Sequence, residues 1–329
     1  FKKFDAFKSD QNDSIDLMSD YIESIKNIVD IEKIKSTNLN IAVDCMFGTS
    51  SLILKKLLQS NKCNVEEINA TNDSSFPGIK QPEPIDENLS ELKLKVKQSH
   101  ADIGFAFDAD SDRVGVIDNK SNYIEAPYTF CVIIDHVLGN KKIVKNISTT
   151  VSMTSMIDSI VKKYGVNCFR TKVGFKYVAP NMEKNDSILG GEESGGYSYS
   201  KHLLERDGII SSMLILENLI ESKSNSSEFI YKLSEKYGNY FYRRSDIKLN
   251  DKTVKKLTDF ISKFNSKKII DKQIKFIDKK DGIKINFEND EWILVRLSGT
   301  EPLARIYAES FDKESVNNLI SSFLNYFNL

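Results

Sequence analysis

The stretch Ile103-Gly104-Phe105-Ala106-Phe107-Asp108-Ala109-Asp110-Ser111-Asp112-Arg113 runs five residues without a polar side chain into a hexapeptide with carboxylates at alternate positions. A short apolar run that ends in turn formers reads as a strand buried on both faces. Upstream, a helix is expected near Asn88–Gln98 and a buried strand at Leu39–Cys45. Gly48-Thr49-Ser50, a helix from about Ser51 to Gln59 and a short strand at Val65–Ile68 follow that first strand. The segment from Phe76-Pro77-Gly78 to Pro84 is too rich in turn formers for regular structure. Strand and helix therefore alternate, which predicts an α/β layer. Ahead of it, Ile15, Met18, Ile22, Ile25 and Val29 share one helical face, with Asp13 or Ser14 as the cap.

Downstream the alternation repeats. Pro127–Leu138 reads as helix, Lys142–Ile147 as extended, Val151–Tyr164 as helix, and Val166–Arg170 and Ser187–Leu189 as strands. Asp207–Ser222 is a helix with Ile209, Ile210, Met213, Leu214 and Leu216 among its apolar positions, and a short helix at Ser227–Tyr237 ends before Gly238. Beyond about residue 243 the texture changes. Gln273–Ile277, Gly282–Phe287 and Trp292–Leu297 alternate with Asp, Lys, Gly and Asn turns, a hairpin pattern, and a last helix covers Lys313–Phe327. The fold class is α/β: two consecutive mixed-sheet α/β domains, residues 1–120 and 121–240, followed by a smaller α+β C-terminal domain, residues 241–329. A linker near Tyr240–Asp246 would let the last domain rotate as a hinged lid.

The bulk composition agrees with two or three domains, since 329 residues exceed one compact core. Hydrophobic residues at 40% and charged residues at 28% are ordinary for a globular chain, and a net charge of −1 offers no field for nucleic acid or an anionic membrane. No apolar run approaches the roughly 20 residues that span a bilayer. Cys45, Cys63, Cys131 and Cys168 form no CxxC pair, so neither a disulfide framework nor a zinc site is expected, and a reducing cytoplasm fits. The opening Phe1-Lys2-Lys3-Phe4-Asp5 is not a signal peptide and lacks an initiator Met, so residues are expected upstream.

Three loops carry chemistry. In the first, Asp108, Asp110 and Asp112 offer oxygen ligands to one hard cation such as magnesium, and crowding them without a cation is costly. An EF-hand is excluded, because its sixth position here is Arg113 rather than Gly and its twelfth is Asn119 rather than Glu. The plain alternative is a polar surface turn. The second loop is Gly190-Gly191-Glu192-Glu193-Ser194-Gly195-Gly196, where Glu192 and Ser194 supply an acceptor and a donor suited to vicinal sugar hydroxyls. The alternative is a glycine-rich turn without a ligand. The third is Arg296-Leu297-Ser298-Gly299-Thr300-Glu301-Pro302, with an Arg fork, two hydroxyls and a glycine-opened backbone for an anion. Its alternative is a β-turn with an exposed Arg. There is no Walker sequence.

The three strings in this order resemble the metal-, sugar- and phosphate-binding loops of the α-D-phosphohexomutases. Phe76-Pro77-Gly78 with Gln81-Pro82-Glu83-Pro84, Lys172-Val173-Gly174-Phe175-Lys176 and Glu205-Arg206-Asp207-Gly208 resemble further family segments. The resemblance covers essentially the whole chain as family domains 2, 3 and 4. It implies Mg²⁺ on Asp108, Asp110 and Asp112, with Arg113 beside the transferring phosphoryl group. It implies sugar hydroxyls on Glu192 and Ser194, and the other phosphate on Arg296, Ser298, Gly299 and Thr300, with Lys172 and Lys176 as further contacts. The implied reaction interconverts glucose 1-phosphate and glucose 6-phosphate through glucose 1,6-bisphosphate, using a phosphoserine. The family's phosphoserine string, T/S-A-S-H-N-P, is absent from these residues. The partner is therefore expected to be a phosphoserine domain on the same gene or a separate fragment, and this chain alone is expected to be inactive. Family members that act on glucosamine phosphate read GEQSGH and many phosphomannomutases GEMSGH, so Glu193 and Gly196 tilt the reading toward glucose. A phosphomannomutase, or a catalytically silent phosphosugar-binding or regulatory protein, is the alternative.

Overall fold

The computed structural model describes residues 17–298 and 303–328. The first unit holds α1 (Leu17–Lys26), α2 (Ile31–Lys35), β1 (Leu39–Asp44), α3 (Ile53–Leu58), β2 (Cys63–Ile68), α4 (Ser90–Ser99), β3 (Ile103–Phe107), β4 (Val114–Asp118) and β5 (Tyr123–Ile124). Its sheet has the order β2-β1-β3-β4-β5, parallel from β2 to β3 and antiparallel beyond. Every residue of β3 is buried, as an unbroken apolar run demands in a covered sheet. Leu92 and Val96 of α4 close one face so tightly that a Cβ on Gly104 would lie 2.7 Å from Val96 Cγ2. The Asp108–Arg113 segment leaves the carboxyl end of this central strand, where open α/β sheets place their ligand loops.

The second unit holds α5 (Ala126–Asp135), a π-helical turn at His136–Asn140, β6 (Asn146–Thr150), α6 (Met156–Tyr164), β7 (Cys168–Thr171), α7 (Phe175–Lys184), β8 (Ser187–Gly191), β9 (Tyr197–Tyr199), α8 (Gly208–Ser222) and α9 (Phe229–Tyr237). The strand order is β7-β6-β8-β9, with only β9 antiparallel. Helix α8 is buried almost all round because it is shared, packing on α2 and β4 of the first unit and on α5 and β9 of the second. Asp207 caps it, accepting from the N–H groups of Ile209 and Ile210 at 2.9 and 3.0 Å, and also accepts from Tyr21 of α1.

The third unit holds β10 (Phe241–Lys248), α10 (Asp251–Lys263), β11 (Lys268–Ile269), β12 (Lys272–Asp278), β13 (Ile283–Phe287), β14 (Trp292–Leu297), β15 (Leu303–Ser310) and α11 (Lys313–Phe327). The sheet is antiparallel in the order β10-β15-β14-β13-β12-β11, and Phe260, Phe323 and Phe327 pack in the layer between it and α10 and α11. The fold is thus two mixed-sheet α/β units followed by an antiparallel α+β unit. One apolar core nevertheless runs from Ile25 through Phe105, Phe130 and Ile210 to Trp292, Leu294 and Tyr307, so the last unit is seated on the second. Among the described residues no helix is long and apolar enough to cross a membrane.

Several local expectations give way. Asp13, Ser14 and Ile15 lie outside the described residues, and the first helix stops at Lys26, a second one starting after the cap Asp30. The extended segment expected at 142–147 and the helix expected from Val151 are displaced: Asn146–Thr150 is the strand and the helix starts at Met156. The Ser148-Thr149-Thr150 run is polar for a strand interior, but each hydroxyl is buried and paired, on Asn181 and Ser187, on Gly191 O and on Ser152. Helix α7 has no counterpart among the expected elements, since Pro180 lies inside it. The segment expected as a linker is β10, paired along its length with β15. Tyr128 anchors its start, donating to Tyr240 O at 2.6 Å and accepting from Tyr242 N at 2.7 Å.

Candidate active site

The chain turns sharply after β3, with Ser111 N donating to Asp108 O at 3.1 Å and Ser111 at φ +63°. Asp108 is buried and accepts from Arg113 twice, at the backbone N–H and at Nε, while Arg113 Nη1 reaches Glu83 at 3.0 Å. One carboxylate oxygen from each of Asp108, Asp110 and Asp112 lies within 4.8 Å of the others. Burial, then the charge of Asp108, pushes the Asp112 carboxyl up to about 7, although Arg206 opposes the shift from 2.5 Å. Three hard oxygen donors crowded this way fit a magnesium-like cation. The loop is braced from the turn that follows β1: Thr49 N donates to Ala109 O at 3.0 Å and Thr49 Oγ1 meets Ser111 Oγ at 2.8 Å.

The glycine-rich loop joins directly onto this turn. Val114 N donates to Gly195 O at 3.0 Å, and Arg113 bridges to Gly196. Gly195 has φ +89°, and a Cβ there would lie 2.8 Å from Val114 O, so any side chain would strain the backbone and crowd that oxygen. The two glutamates of the loop point to different partners. Glu192 Oε1 accepts from Ser194 Oγ at 3.0 Å and from Arg206 Nη1 at 3.4 Å, while its Oε2 is buried with no hydrogen-bond partner among the described residues. Burial, then the neighbouring Glu193, raises the Glu192 carboxyl pKa, and Arg206 restrains it. Glu193 accepts from Ser152 at 2.6 Å and Thr150 at 3.2 Å through Oε2, and from Tyr307 of β15 at 3.0 Å through Oε1.

Arg296 stands at the end of β14, its Nε donating to Asp281 Oδ2 at 2.7 Å. Burial works against its charge, but Tyr307, Asp281 and Glu193 outweigh burial and hold its pKa above the ordinary value. Ser298 N donates to Leu303 O at 2.9 Å. Gly299 and Thr300 lie outside the described residues. Asp281 Oδ2 also accepts from Val173 N at 2.8 Å, which brings the Lys172–Lys176 segment beside Arg296. Lys172 and Lys176 are exposed, the latter with Nζ 5.2 Å from the Tyr177 ring centre.

The fold therefore gathers Asp108, Asp110, Asp112, Arg113, Glu192, Ser194 and Arg296 into one connected set. Sequence reasoning assigned no role to Thr49, Arg206, Asp281 or Tyr307, which connect it. The Asp281-Gly282 pair reads as an ordinary hairpin turn, Tyr307 lies in a strand absent from the expected elements, and Gly48-Thr49-Ser50 reads only as a turn after the first strand, where a Cβ on Gly48 would meet Ala109 O at 2.5 Å.

Family models described as phosphoglucomutase/phosphomannomutase alpha/beta/alpha domain II, alpha/beta/alpha domain III and C-terminal domain match residues 19–121, 127–237 and 247–325. A phosphoglucomutase/phosphomannomutase of Thermococcus kodakarensis is 36% identical over 309 residues, covering 93% of this chain and 64% of that protein. A phosphoglucosamine/phosphogalactosamine mutase of Sulfurisphaera tokodaii is 32% identical, with 93% of this chain and 65% of that protein covered. The chain thus spans just under two thirds of the length of either relative. A solved structure from Thermus thermophilus, assigned as a phosphomannomutase, superposes with a TM-score of 0.79 at 25% identity over 96% of this chain and 67% of that one.

Proposed function

The chain belongs to the phosphoglucomutase/phosphomannomutase family, and on that footing we propose that it is the metal-, sugar- and phosphate-binding part of a phosphohexomutase acting on glucose phosphates. One observation carries the reading. Consecutive glutamates of one loop reach two different partners: Glu192 joins through Arg206 to Asp112 of the carboxylate triad, and Glu193 joins through Tyr307 to the surroundings of Arg296. A sugar lying on Glu192 would have a cation site on one flank and a phosphate site on the other. A reaction that moves a phosphoryl group between two hydroxyls of one hexose needs that order.

In this reading Glu192 Oε2, buried and without a hydrogen-bond partner among the described residues, accepts from a sugar hydroxyl, and Ser194 donates or accepts beside it. Arg296 and Ser298 hold the phosphate that is not reacting, Gly299 and Thr300 extend that contact, and Lys172 and Lys176 supply longer-range positive charge. Arg113, held by Asp108 and Glu83, presents its guanidinium to the phosphoryl group in transfer. Asp108, Asp110 and Asp112 would hold Mg²⁺, which when bound neutralises charge developing on that group. Glucose 1,6-bisphosphate is the intermediate, and the phosphoserine comes from a segment outside this sequence. The 329-residue chain by itself is expected to bind the bisphosphate and to turn over little.

Relatives named for glucosamine phosphate favour a second reading in which that sugar is the substrate. Calorimetry with glucose 1,6-bisphosphate, glucose 6-phosphate, mannose 6-phosphate and glucosamine 6-phosphate separates the readings. The expected result is tightest binding of the bisphosphate, lost in Glu192→Ala and Arg296→Ala. Failure of every phosphosugar to bind, or binding indifferent to both substitutions, would sink the proposal. A turnover rate equal to that of an intact mutase would sink the dependence on a further segment.

A further inference from the structure

The hairpin turn Asp281-Gly282 lies outside the loops assigned above to metal, sugar and phosphate. It is nevertheless the point where the C-terminal sheet meets the second unit beside Arg296. A single oxygen, Asp281 Oδ2, accepts from Val173 N at 2.8 Å and from Arg296 Nε at 2.7 Å. The pair is shielded, with side-chain exposures of 22% for Asp281 and 15% for Arg296. Gly282 presses the turn against the arginine: it has φ +76°, and a Cβ there would lie 2.2 Å from Val295 O and 2.9 Å from Arg296 Cγ. Lysines on either side pin the same turn to the second unit, Lys280 Nζ donating to Arg170 O at 2.8 Å and Lys284 Nζ to Val151 O at 3.0 Å.

An ion pair that served docking alone would duplicate what the two lysines already do. The distinctive feature is the shared oxygen. A guanidinium carries its donors in a rigid plane, so fixing Nε fixes the direction in which both Nη groups point. Because that oxygen is itself held by Val173 N, this constraint on Arg296, which Tyr307 also contacts, ties the side chain to the Lys172–Lys176 segment. Holding the side chain in one rotamer before the ligand arrives removes part of the ordering cost of binding.

We propose that Asp281 is a positioning residue for phosphate binding: it aims the Arg296 guanidinium and ties that aim to the seating of the C-terminal unit on Val173. The inference rests on the phosphate role given to Arg296 above. It makes the phosphate contact a joint property of two units rather than of the Arg296–Pro302 loop alone.

Calorimetric titration of the 329-residue chain with glucose 1,6-bisphosphate tests it, comparing the unaltered chain with Asp281→Ala, Asp281→Asn, Arg296→Ala, the Asp281→Ala/Arg296→Ala pair and Lys280→Ala. Losing one charge-assisted hydrogen bond is expected to weaken binding by about tenfold in Asp281→Ala. Asp281→Asn keeps an oxygen acceptor and is expected to recover most of that loss. The double variant is expected to bind no worse than Arg296→Ala, because the two residues act as one unit. Lys280→Ala, which removes a neighbouring contact between the units without touching Arg296, is expected to stay within about twofold. Binding by Asp281→Ala equal to the unaltered chain overturns the proposal. So do additive losses in the double variant, or a loss in Lys280→Ala as large as in Asp281→Ala, which would mean docking alone. Where Asp281→Ala does not fold, Asp281→Glu replaces it. The longer side chain displaces the acceptor and is expected to weaken binding where Asn does not; equal binding by the two overturns the proposal. No binding by the unaltered chain overturns the functional reading and this inference together, whereas the other outcomes overturn this inference alone.

Discussion

Tyr307 of the C-terminal sheet donates its hydroxyl to Glu193 Oε1 at 3.0 Å, so a residue of the glycine-rich loop is committed to holding a different structural unit. Ser152 and Thr150 take the other carboxylate oxygen. The identity of residue 193 therefore answers to the seating of the last unit, and the tilt toward glucose that its sequence suggested has a competing physical cause. Glu193→Gln is expected to leave the ratio of affinities for glucose and mannose bisphosphates unchanged within about twofold. Tyr307→Phe strips one hydrogen bond from a shielded carboxylate and is expected to cost about 1.5–3 kcal/mol of stability. Calorimetry measures the first and urea unfolding the second; a selectivity change of tenfold in Glu193→Gln would return that residue to the sugar site.

The three aspartates of the acidic loop have different burial, and that separates binding from folding. Asp110 is exposed, whereas Asp108 is buried under Arg113. Asp110→Ala is expected to weaken Mn²⁺ binding by about tenfold or more while leaving the unfolding midpoint in place. Asp108→Ala is expected to lose both, since the half-buried Arg113 loses both of its bonds to Asp108 and keeps Glu83 at 3.0 Å and Asp112 at 3.7 Å. Paramagnetic relaxation with Mn²⁺ reads the binding, and equal affinities in the unaltered chain and Asp110→Ala would remove the metal assignment.

Gly195 offers a test of how far the glycine-rich loop depends on its seat. Alanine there must hold φ near +89° and meet Val114 O at 2.8 Å. Together these are expected to cost about 1–3 kcal/mol and to loosen the register between the sugar and metal loops. Loss of phosphosugar affinity with stability restored by added ligand would fit that origin. An Ala variant as stable and as tightly binding as the unaltered chain would show that the close approach is dispensable.

Much of this architecture is legible in the residues alone. Ile103–Phe107 and Lys313–Phe327 announce themselves by an unbroken apolar run and by a regular helical face, and both elements lie where those patterns put them. The three loop strings each read equally as an ordinary turn when taken singly, and only their order along the chain carries the family resemblance. What escapes are contacts whose meaning depends on a distant partner. Arg206 is one more charged residue until Asp112 and Glu192 stand beside it, and Asp281 is a turn former until Val173 and Arg296 share its oxygen. Strand β10 escapes for a related reason: Arg243, Arg244 and Asp246 make it look like a solvated connector, and only pairing with β15 gives its backbone a partner.

Lys284 is expected to make the stability of the seated C-terminal unit depend on pH. Its ammonium is buried, donates to Val151 O at 3.0 Å and lies 3.7 Å from the centre of the Trp292 ring. Burial, then nearby Arg170, pulls its pKa from 10.5 down to about 7, against the attraction of Glu309. Below about 7 both folded and unfolded chains carry the proton, and the folded state bears the full cost of a buried cation. Between about 7 and 10.5 the unfolded chain keeps the proton while the folded chain has released it, so this group makes stability rise with pH across that window. Lys284→Met keeps the apolar stem against the indole and removes the titration. Urea unfolding at about pH 6, 8 and 10 is expected to show a weaker upward slope in Lys284→Met than in the unaltered chain. Trp292 is the single tryptophan of the sequence, so its emission gives a second, local readout. Loss of the ammonium from the ring face is expected to change that emission near pH 7 in the unaltered chain and not in Lys284→Met. Identical slopes and identical emission profiles in the two proteins would mean that Lys284 keeps its proton, and that the contact with Trp292 holds the cation more firmly than burial repels it.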